Sequence, residues 1–420
     1  MKQKLPHQLL VDVSVIMRSD AGTGIQRVVR ALLGALLDAD LDGYVVRPIY
    51  ATRTEPYAYV PCEAILLSGL AIATPAPVGV VSAEKGDIFL GLDLAANILP
   101  RHRRQITRWR RQGCVVATVM YDLLPEQRPR WFNPRTRRNY RRWLRVVTRC
   151  SDRIICISQE VARQLEAWIA ARPWRGNGGL QVNHMRLGCD IGRTIPSKGV
   201  SAEAASLLAG WSKSRLVLVV GTIEPRKGHS CLLPAFDLLW SEPAGEDVVL
   251  VFVGRPGWRT ERLQDRIRTH PMAIGSEPDR RFFWFDDASD EFLDCLYRSA
   301  HGVIVPSLAE GFGLPLVEAL GHGVRVLARD LPVFRAMNLA KVSYFSQDEP
   351  VLLARAISEW LDHGDGVPAL AANPVPTWRD SFGDLLSCLS IAERDNRDVK
   401  VAQNAAHGNR TNPIIDSGLT

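Results

Sequence analysis

Two glutamates, Glu310 and Glu318, flank a loop that contains two glycines. A short β-branched run at residues 303–305 precedes the loop, and Pro315 lies where the first helical turn tolerates a residue without an N–H. This order of strand, glycine loop and helix turns unpaired backbone N–H groups and the positive end of a helix dipole toward one point. The pattern predicts an anion site that suits a phosphate.

The two carboxylates need a separate role, because they would repel a phosphate beside them. An ionised carboxylate accepts stronger hydrogen bonds from neutral hydroxyls than an uncharged oxygen does. Glu310 and Glu318 are therefore predicted to bind the hydroxyls of two different sugars, as a nucleotide sugar requires. The alternative is structural: one glutamate complements the helix dipole and the other lies in solvent.

A second predicted strand-to-helix turn carries two adjacent cations. Residues 216–220 form an apolar run, Thr222 follows it closely, and Arg226 and Lys227 lie in the turn before the next apolar-faced segment. An ordinary solvated pair is one interpretation. Cations at a helix N-terminus oppose its dipole, however, so they gain most when an anion lies between them. A diphosphate is such an anion.

These two segments resemble the glycosyltransferases of family 4. The resemblance rests on residues 224–228, Glu-Pro-Arg-Lys-Gly, and on residues 310–318, Glu-Gly-Phe-Gly-Leu-Pro-Leu-Val-Glu. It implies an α/β protein of the GT-B fold, with two facing Rossmann-like domains, parallel sheets and a cleft between them. By this resemblance Glu318 would hold the nucleotide ribose and Glu310 the transferred sugar, with Arg226 and Lys227 on the diphosphate.

The same resemblance implies further donor contacts. Gly313 and Leu314 would offer backbone N–H groups, and Phe312 belongs to the same loop. Thr222 is assigned to the donor site with the cationic turn. Asp286 ends a predicted strand and would line the pocket of the nucleotide base.

The first half of the chain contributes another glycine loop. Gly22 and Gly24 follow the first predicted strand and precede an apolar-faced helix. Glycines let a backbone approach a ligand closely, but the third glycine of a dinucleotide fingerprint is missing. In the resembled family this loop faces the donor phosphates and the acceptor across the cleft.

Two aspartates, Asp93 and Asp122, end predicted strands of the first half. Ligands gather at the carboxyl ends of parallel strands, which makes both aspartates cleft candidates. We favour a turn or cap role for Asp93 and place Asp122 among the catalytic residues. Many members of the resembled family have histidine where this chain has Tyr121, so a histidine role at that position is in doubt.

The length and the alternation of elements predict two domains. A chain of 420 residues allows two cores of ordinary size, and alternating strands and helices are typical of parallel sheets. The predicted units are an acceptor-binding domain at residues 1–195, a linker at 196–214 and a nucleotide-sugar-binding domain at 215–375. A helix at 376–392 is predicted to cross back to the first domain, and residues 393–420 form a polar tail predicted to be disordered.

Composition restricts the class of protein and its compartment. The chain is 46% hydrophobic and 23% charged, which is typical of a soluble globular protein. Eight cysteines without a Cys-x-x-Cys pair predict reduced thiols, and the N-terminus has no signal-peptide pattern, so we expect a cytoplasmic protein. Metal-ligand clusters are missing from the sequence, and we expect neither a metal nor another cofactor.

The net charge of +7 is concentrated in arginines, many of them between Arg128 and Arg149. A solvated helix face is one interpretation. Because aromatic residues are interleaved, a surface for anionic lipid is another, which would give peripheral contact with the inner face of the cell membrane. Nucleic acid is a third, but no binding motif accompanies the charge and we do not expect it.

Taken together, the resemblance implies a retaining, metal-independent hexosyltransferase. Residues 24–30, 86–93 and 121–125 are similar to bacterial transferases that build surface polysaccharides such as O-antigens. This favours mannose from GDP-mannose as the donor and a glycan or polyprenyl-linked acceptor. The alternatives are a UDP- or dTDP-sugar donor, a nucleotide-sugar-binding protein without transfer activity, or a basic nucleic-acid-binding protein.

Overall fold

The computed structural model describes most of the chain, and the described part forms two α/β domains. The described residues are 6–18, 22–54, 57–62, 64–67, 70–73, 79–172, 178–190, 199–274, 280–362 and 373–394. Most of the predicted tail, from residue 395 onward, and residues 196–198 of the predicted linker lie outside these ranges.

The first domain is built on a mostly parallel sheet. Its strands are β1 (His7–Asp12), β2 (Tyr44–Ala51), β3 (Tyr59–Pro61), β4 (Ala64–Leu67), β5 (Leu70–Ala73), β6 (Ile88–Gly91), β7 (Val115–Met120), β8 (Arg153–Cys156) and β9 (Gln181–His184). The main sheet has the order β3-β2-β1-β6-β7-β8-β9, and only β3 runs antiparallel to its neighbour. A separate antiparallel pair is formed by β4 and β5. The carboxyl ends of β1, β2, β6 and β7 therefore lie along one edge.

Helices connect these strands. They are α1 (Gly24–Asp38), α2 (Arg103–Arg111), α3 (Leu124–Gln127), α4 (Pro134–Cys150) and α5 (Gln159–Ala170). Thr23 and Gln26 form a capping box that starts α1, and the side chain of Ser158 accepts the N–H of Val161 at the start of α5.

The second domain repeats the arrangement with an all-parallel sheet of order β12-β11-β10-β13-β14-β15. In chain order the strands are β10 (Arg215–Val220), β11 (Val248–Val253), β12 (Phe282–Phe285), β13 (Gly302–Val305), β14 (Val326–Arg329) and β15 (Val342–Phe345). The helices are α6 (Ala202–Gly210), α7 (His229–Trp240), α8 (Glu261–Arg268), α9 (Pro271–Ile274), α10 (Asp290–Ser299), α11 (Leu314–Gly321), α12 (Pro332–Met337), α13 (Pro350–Asp362) and α14 (Trp378–Leu389).

Continuous apolar runs explain the central strands. Every residue of β11 and of β13 is buried, as expected where helices cover both faces of a parallel sheet. The predicted α/β architecture of two Rossmann-like domains is confirmed. Because β10 and β13 are neighbours, the loops that follow them emerge side by side.

The last helix leaves the second domain and packs on the first. Arg186, just beyond β9, forms a bidentate ion pair with Asp384 of α14 at 2.8 and 2.9 Å. At the start of α14, the backbone N–H of Trp378 donates to Asp190 at 2.8 Å. A Cβ atom at Gly188 would lie 2.2 Å from the backbone nitrogen of Trp378, so only glycine permits this approach.

Candidate active site between the domains

The loop between β13 and α11 is shaped by its two glycines. Gly313 precedes the helix with a φ of 103°, in the left-handed region that favours glycine, and an added Cβ would lie 2.4 Å from the ring of Phe334. At Gly311 an added Cβ would lie 2.1 Å from the backbone oxygen of Tyr121. The Ser158 hydroxyl donates to the Gly311 carbonyl at 2.7 Å. The second-domain loop is therefore in direct contact with the first domain.

Glu310 lies at the centre of a compact ionic cluster. Its Oε1 accepts hydrogen bonds from Lys227 Nζ at 2.6 Å and from the Ser307 hydroxyl at 2.7 Å, while Oε2 accepts from Arg226 Nη1 at 2.8 Å. The side chain is only 6% exposed. The two predicted cations and the predicted sugar-binding carboxylate thus meet at one point, because their loops follow the adjacent strands β10 and β13.

The turn that carries the cations is held in place by glycine and by Glu224. Residues Pro225–Lys227 form a single 3-10 turn, and Gly228 ends it with a φ of 71°. A Cβ at Gly228 would lie 2.0 Å from the backbone oxygen of Pro306, so the turn is pressed against the end of β13. Arg226 Nε and Glu224 Oε1 form an ion pair at 2.7 Å. Arg226 is consequently fixed between two carboxylates, Glu224 and Glu310.

The charges of this cluster stabilise one another in a buried site. Burial by itself would raise the pKa of Glu310, but Lys227 and Arg226 outweigh it and lower that pKa to about 2. Burial acts against the charge of Arg226, yet Glu310 and Glu224 raise its pKa. For Glu224 burial is the largest effect, and it raises the pKa of this carboxyl despite Arg226. Glu310 and Arg226 therefore remain ionised.

Asp122 brings a first-domain carboxyl to the same region. It follows β7, and its side chain accepts the N–H of Leu124 at 3.0 Å. Burial raises the pKa of Asp122, an effect that the nearby Arg226 partly offsets. Tyr140 of α4 donates its hydroxyl to the backbone oxygen of Asp122. The aspartate is thereby placed opposite the ionic cluster and is also supported from α4.

Tyr121, at the position where the resembled family has histidine, is turned away from this cluster. Its hydroxyl donates to the backbone oxygen of Leu92 at 2.7 Å, and the side chain is buried. Burial raises the pKa of this phenol well above its ordinary value. Tyr121 therefore has a structural contact inside the first domain. Asp93 accepts the N–H groups of Val15 and Ile16, just beyond β1, at 3.0 and 2.7 Å, so its contacts are long-range and differ from the local turn or cap that we favoured.

Glu318 is buried and both of its oxygens are occupied. Tyr297 donates its hydroxyl to Oε2 at 2.8 Å, and Arg27 of the first domain donates to Oε1. Arg27 also contacts Asp290 at 2.8 Å, so one guanidinium from α1 joins two carboxylates of the second domain. Our sequence reasoning gave Arg27 no role. Its position is nevertheless informative, because Arg27 lies in the first turn of α1 with no acidic residue there, and a cation at a helix N-terminus gains most from an anionic partner.

The other predicted donor residues lie around this interface. A Cβ at Gly24 would lie 3.4 Å from Leu314 Cδ1, so the glycine loop that also holds Gly22 faces the α11 loop. Phe312 is buried in the core. Thr222 follows β10 and is half-buried, whereas Asp286 follows β12 and is exposed. Asp286 forms no hydrogen bond or ion pair with any described residue.

A second contact joins the domains away from the ionic cluster. Trp258 Nε1 donates to the backbone oxygen of Trp131 at 2.8 Å, and Arg259 Nη1 donates to that of Arg130 at 2.6 Å. The rings of Phe132 and Trp258 lie 6.2 Å apart. The segment before α4 is thus linked to the loop that follows β11.

In the described ranges, no group of three or more His, Cys, Asp and Glu side chains is arranged to hold a metal ion. Nor does that part of the chain contain a helix with both the length and the apolarity needed to span a bilayer. What the site does offer is two fixed cations, one ionised carboxylate and the start of α11, arranged between two glycine loops.

The sequence matches known proteins over most of its length. Residues 209–373 match the family described as Glycosyl transferases group 1. Over 359 residues, 84% of this chain, the sequence is 38% identical to the serotype-specific mannosyltransferase WbdA of Escherichia coli. That alignment covers 42% of WbdA, so the chain spans less than half the length of this curated relative.

Solved structures with low sequence identity share the fold. Anabaena HepE, in a complex with UDP and glucose, gives a TM-score of 0.57 at 15% identity and covers 96% of this chain and 100% of its own. Sucrose-phosphate synthase of Thermosynechococcus elongatus gives a TM-score of 0.54 at 16% identity, covering 96% and 98%. These similarities confirm the predicted GT-B architecture.

Proposed function

We propose that the protein is a retaining glycosyltransferase, because residues 209–373 match the family described as Glycosyl transferases group 1. It moves a sugar from a nucleotide diphosphate sugar to a glycan or lipid-linked acceptor in bacterial surface-polysaccharide synthesis. The single observation that best supports a transfer reaction is the cluster in which Lys227 and Arg226 hold Glu310.

The chemistry follows from the charges of this cluster. When the sugar leaves the diphosphate, negative charge develops on the leaving oxygen, and two preorganised cations stabilise it. Lys227 and Arg226 take this role together with the backbone N–H groups at the start of α11. Glu310 is ionised and fixed, so it accepts hydrogen bonds from hydroxyls of the transferred sugar and orients it. The acceptor hydroxyl attacks from the face on which the diphosphate departs.

The nucleotide is bound on the second domain. Glu318 takes the ribose hydroxyls, with Gly313, Leu314 and Thr222 near the diphosphate. Since Arg27 and Tyr297 already bond to the carboxylate of Glu318, the ribose competes with Arg27 for Oε1. Arg27 is a cation at the N-terminus of α1, so the diphosphate is a suitable new partner for it. Asp286, exposed at the end of β12, is left to contact the base.

For the donor we propose mannose from GDP-mannose. The support is the similarity to WbdA, whose name describes a mannosyltransferase. A UDP-sugar or a dTDP-sugar is the alternative donor, and binding without transfer is the alternative function. We further propose that no divalent metal or other cofactor is needed, because Lys227 and Arg226 supply the positive charge that a divalent ion would otherwise bring to the diphosphate.

The acceptor is proposed to be presented at the inner face of the cell membrane. The outer face of α4 carries six exposed arginines, Arg135, Arg138, Arg141, Arg142, Arg145 and Arg149. The aromatic residues of this helix, Tyr140 and Trp143, point into the core instead, so the interpretation of a mixed aromatic and arginine surface on α4 is wrong for these two. A peripheral contact through α4 is accordingly electrostatic, between arginines and anionic lipid headgroups.

Binding and hydrolysis of a panel of nucleotide sugars, with EDTA present, tests this proposal. GDP-mannose, UDP-sugars and dTDP-sugars are compared on the purified chain and on Glu310→Ala and Lys227→Ala. Two exposed residues of the same domain provide matched controls, Glu242→Ala and Lys213→Ala. We expect one donor to bind and turn over slowly, with loss in the first pair of variants only. A protein that binds no nucleotide sugar, or for which all four variants behave alike, contradicts the proposal.

A further inference from the structure

A pocket on the first domain is lined by four arginines from three different segments. It has a volume of about 320 Å³, which is within the range of small-molecule sites. Arg53 follows β2, Arg101 lies in the segment after β6, and Arg135 and Arg142 belong to α4. Asn97 and Asn139 add amide groups. Neither aspartate nor glutamate is among the described residues that line this pocket.

The arginines of this pocket are not neutralised by other described side chains. The side chains of Arg53, Arg135 and Arg142 are exposed and form no hydrogen bond or ion pair with any residue of the described ranges. The guanidinium of Arg101 lies 5.7 Å from the centroid of the Tyr57 ring. Four like charges around one cavity repel each other, so an anion in the cavity would relieve the repulsion.

The positions of the arginines on α4 also favour an anion in this pocket. Arg135, Asn139 and Arg142 are four and three residues apart, which places them on one face of the helix. Arg135 lies in the first turn of α4, where no acidic residue is present and where a cation opposes the helix dipole. These positions are unfavourable for arginine without an anionic partner. Guanidinium groups match phosphate oxygens with paired N–H donors, which a carboxylate-free pocket leaves available.

The pocket lies on the edge of the sheet that faces the ionic cluster. Neighbouring strands are about 4.8 Å apart, so the end of β6 is about 5 Å and that of β2 about 15 Å from the end of β7, after which Asp122 follows. Asn139 precedes Tyr140, whose hydroxyl supports the backbone of Asp122. The pocket and Asp122 are therefore on the same edge of the first-domain sheet.

We propose that the arginine pocket formed by Arg53, Arg101, Arg135 and Arg142 binds a phosphate or diphosphate group of the acceptor. This assignment to the acceptor rests on the proposed transferase function. The pocket holds the charged end of the acceptor, and the hydroxyl that receives the sugar extends to the cleft. The charged group comes either from a lipid diphosphate or from a phosphorylated sugar.

The test compares two triple variants of the full chain that remove the same charge. The pocket triple is Arg53→Gln, Arg135→Gln and Arg142→Gln. The control triple is Arg104→Gln, Arg108→Gln and Arg111→Gln, which are exposed arginines of α2 outside this pocket. Calorimetric titration with inorganic diphosphate, farnesyl diphosphate and mannose 6-phosphate measures the affinities and separates the two sources of phosphate. Lys227→Ala is titrated with the same ligands. The binding that it loses relative to the unaltered protein is binding at the ionic cluster and not at the arginine pocket.

We expect the pocket triple to weaken binding of inorganic diphosphate at least tenfold and the control triple to change it less than twofold. Equal losses in both triples, or none in either, overturn the proposal, because only general surface charge would then be involved. Thermal melting shows whether each triple is folded, and single substitutions replace a triple that is not. If the pocket triple loses diphosphate while no nucleotide sugar binds the unaltered protein, the anion pocket is supported and the transferase function is overturned.

Discussion

Arg27 on the first helix and Glu318 on the second domain form an ion pair 291 residues apart in sequence. The contact joins the two domains at the carboxylate assigned to the nucleotide ribose. Glu318 is 2% exposed and Arg27 13%, so the pair is shielded from solvent. Domain association and the proposed nucleotide binding would consequently use the same carboxylate.

Replacing Arg27 by alanine is expected to destabilise the protein by about 3 kcal/mol, because Glu318 then keeps a buried charge without its cation. Urea unfolding measures this change in the free energy of unfolding. The double variant with Glu318→Gln should recover part of the loss, which identifies the pair as the cause. Arg104→Ala on the exposed face of α2 is the control. A change below about 1 kcal/mol in Arg27→Ala would show that the pair contributes little.

The low pKa of Glu310 predicts how stability depends on pH. This carboxyl binds a proton at about pH 2 in the folded protein, against an ordinary value of 4.5, so the unfolded chain takes up the proton first as pH falls. Its contribution, on the order of 3 kcal/mol, is therefore complete above pH 4.5 and is lost as pH falls toward 2, with about 1 kcal/mol gone at pH 4. Urea unfolding at pH 7 and pH 4 measures this.

Glu310→Gln isolates that contribution because glutamine does not titrate. The difference in stability between the unaltered protein and this variant should shrink by about 1 kcal/mol from pH 7 to pH 4. A difference that stays constant, or grows, as pH falls would mean that Glu310 is not held ionised by Lys227 and Arg226.

Glu224 is expected to act as a positioning residue for Arg226. Glu224→Gln retains the shape of the side chain but removes the charge that meets Arg226 Nε at 2.7 Å. A guanidinium that is less firmly held should lower kcat roughly tenfold to a hundredfold, with a smaller change in the KM for the donor. Steady-state kinetics and thermal melting together decide the case: a lower melting temperature with kcat unchanged would indicate a purely structural residue.

Gly311→Ala tests the close contact between the two domains at Gly311 and Tyr121. The added methyl group would lie 2.1 Å from the backbone oxygen of Tyr121, so the α11 loop has to move away from the first domain. We expect a loss of stability of about 1–3 kcal/mol and at least a tenfold loss of transfer. Nucleotide binding to the second domain should be affected less, and calorimetry measures it.

Gly383→Ala in α14 is the matched control for that substitution. Nothing lies within 4 Å of the added Cβ at this helical position. Alanine should stabilise the helix by roughly 0.5–1 kcal/mol relative to glycine. If both alanine variants retain full transfer, the contact between Gly311 and Tyr121 does not matter for the reaction.

Local patterns in the sequence were sufficient for the fold and for part of the site. The β-branched run at residues 303–305 predicted β13, and the alternation of strands and helices predicted two domains with parallel sheets. The sequence also placed Glu310 and Lys227 in loops that follow strands of the second domain, but it did not predict the direct ion pair between them. Each of these inferences depends on residues close in sequence or on one periodic pattern.

What the sequence did not reveal depends on tertiary packing. Arg27 meets Glu318 only after two domains fold and associate, and no local pattern encodes that distance. The sequence showed which aromatic residues lie in α4, but not whether their side chains point to the core or to the solvent. Tyr140 and Trp143 face the core because the sheet covers that side of the helix, which leaves the arginines alone at the surface.

The return of α14 to the first domain has a mechanical consequence. The chain passes to the second domain after residue 190 and comes back before residue 378, so two covalent connections link the same two bodies. Two connections define one axis, about which the domains can rotate. Twisting or sliding of one domain against the other would strain both connections. Opening of the cleft in this protein is therefore expected to be a rotation about a single axis.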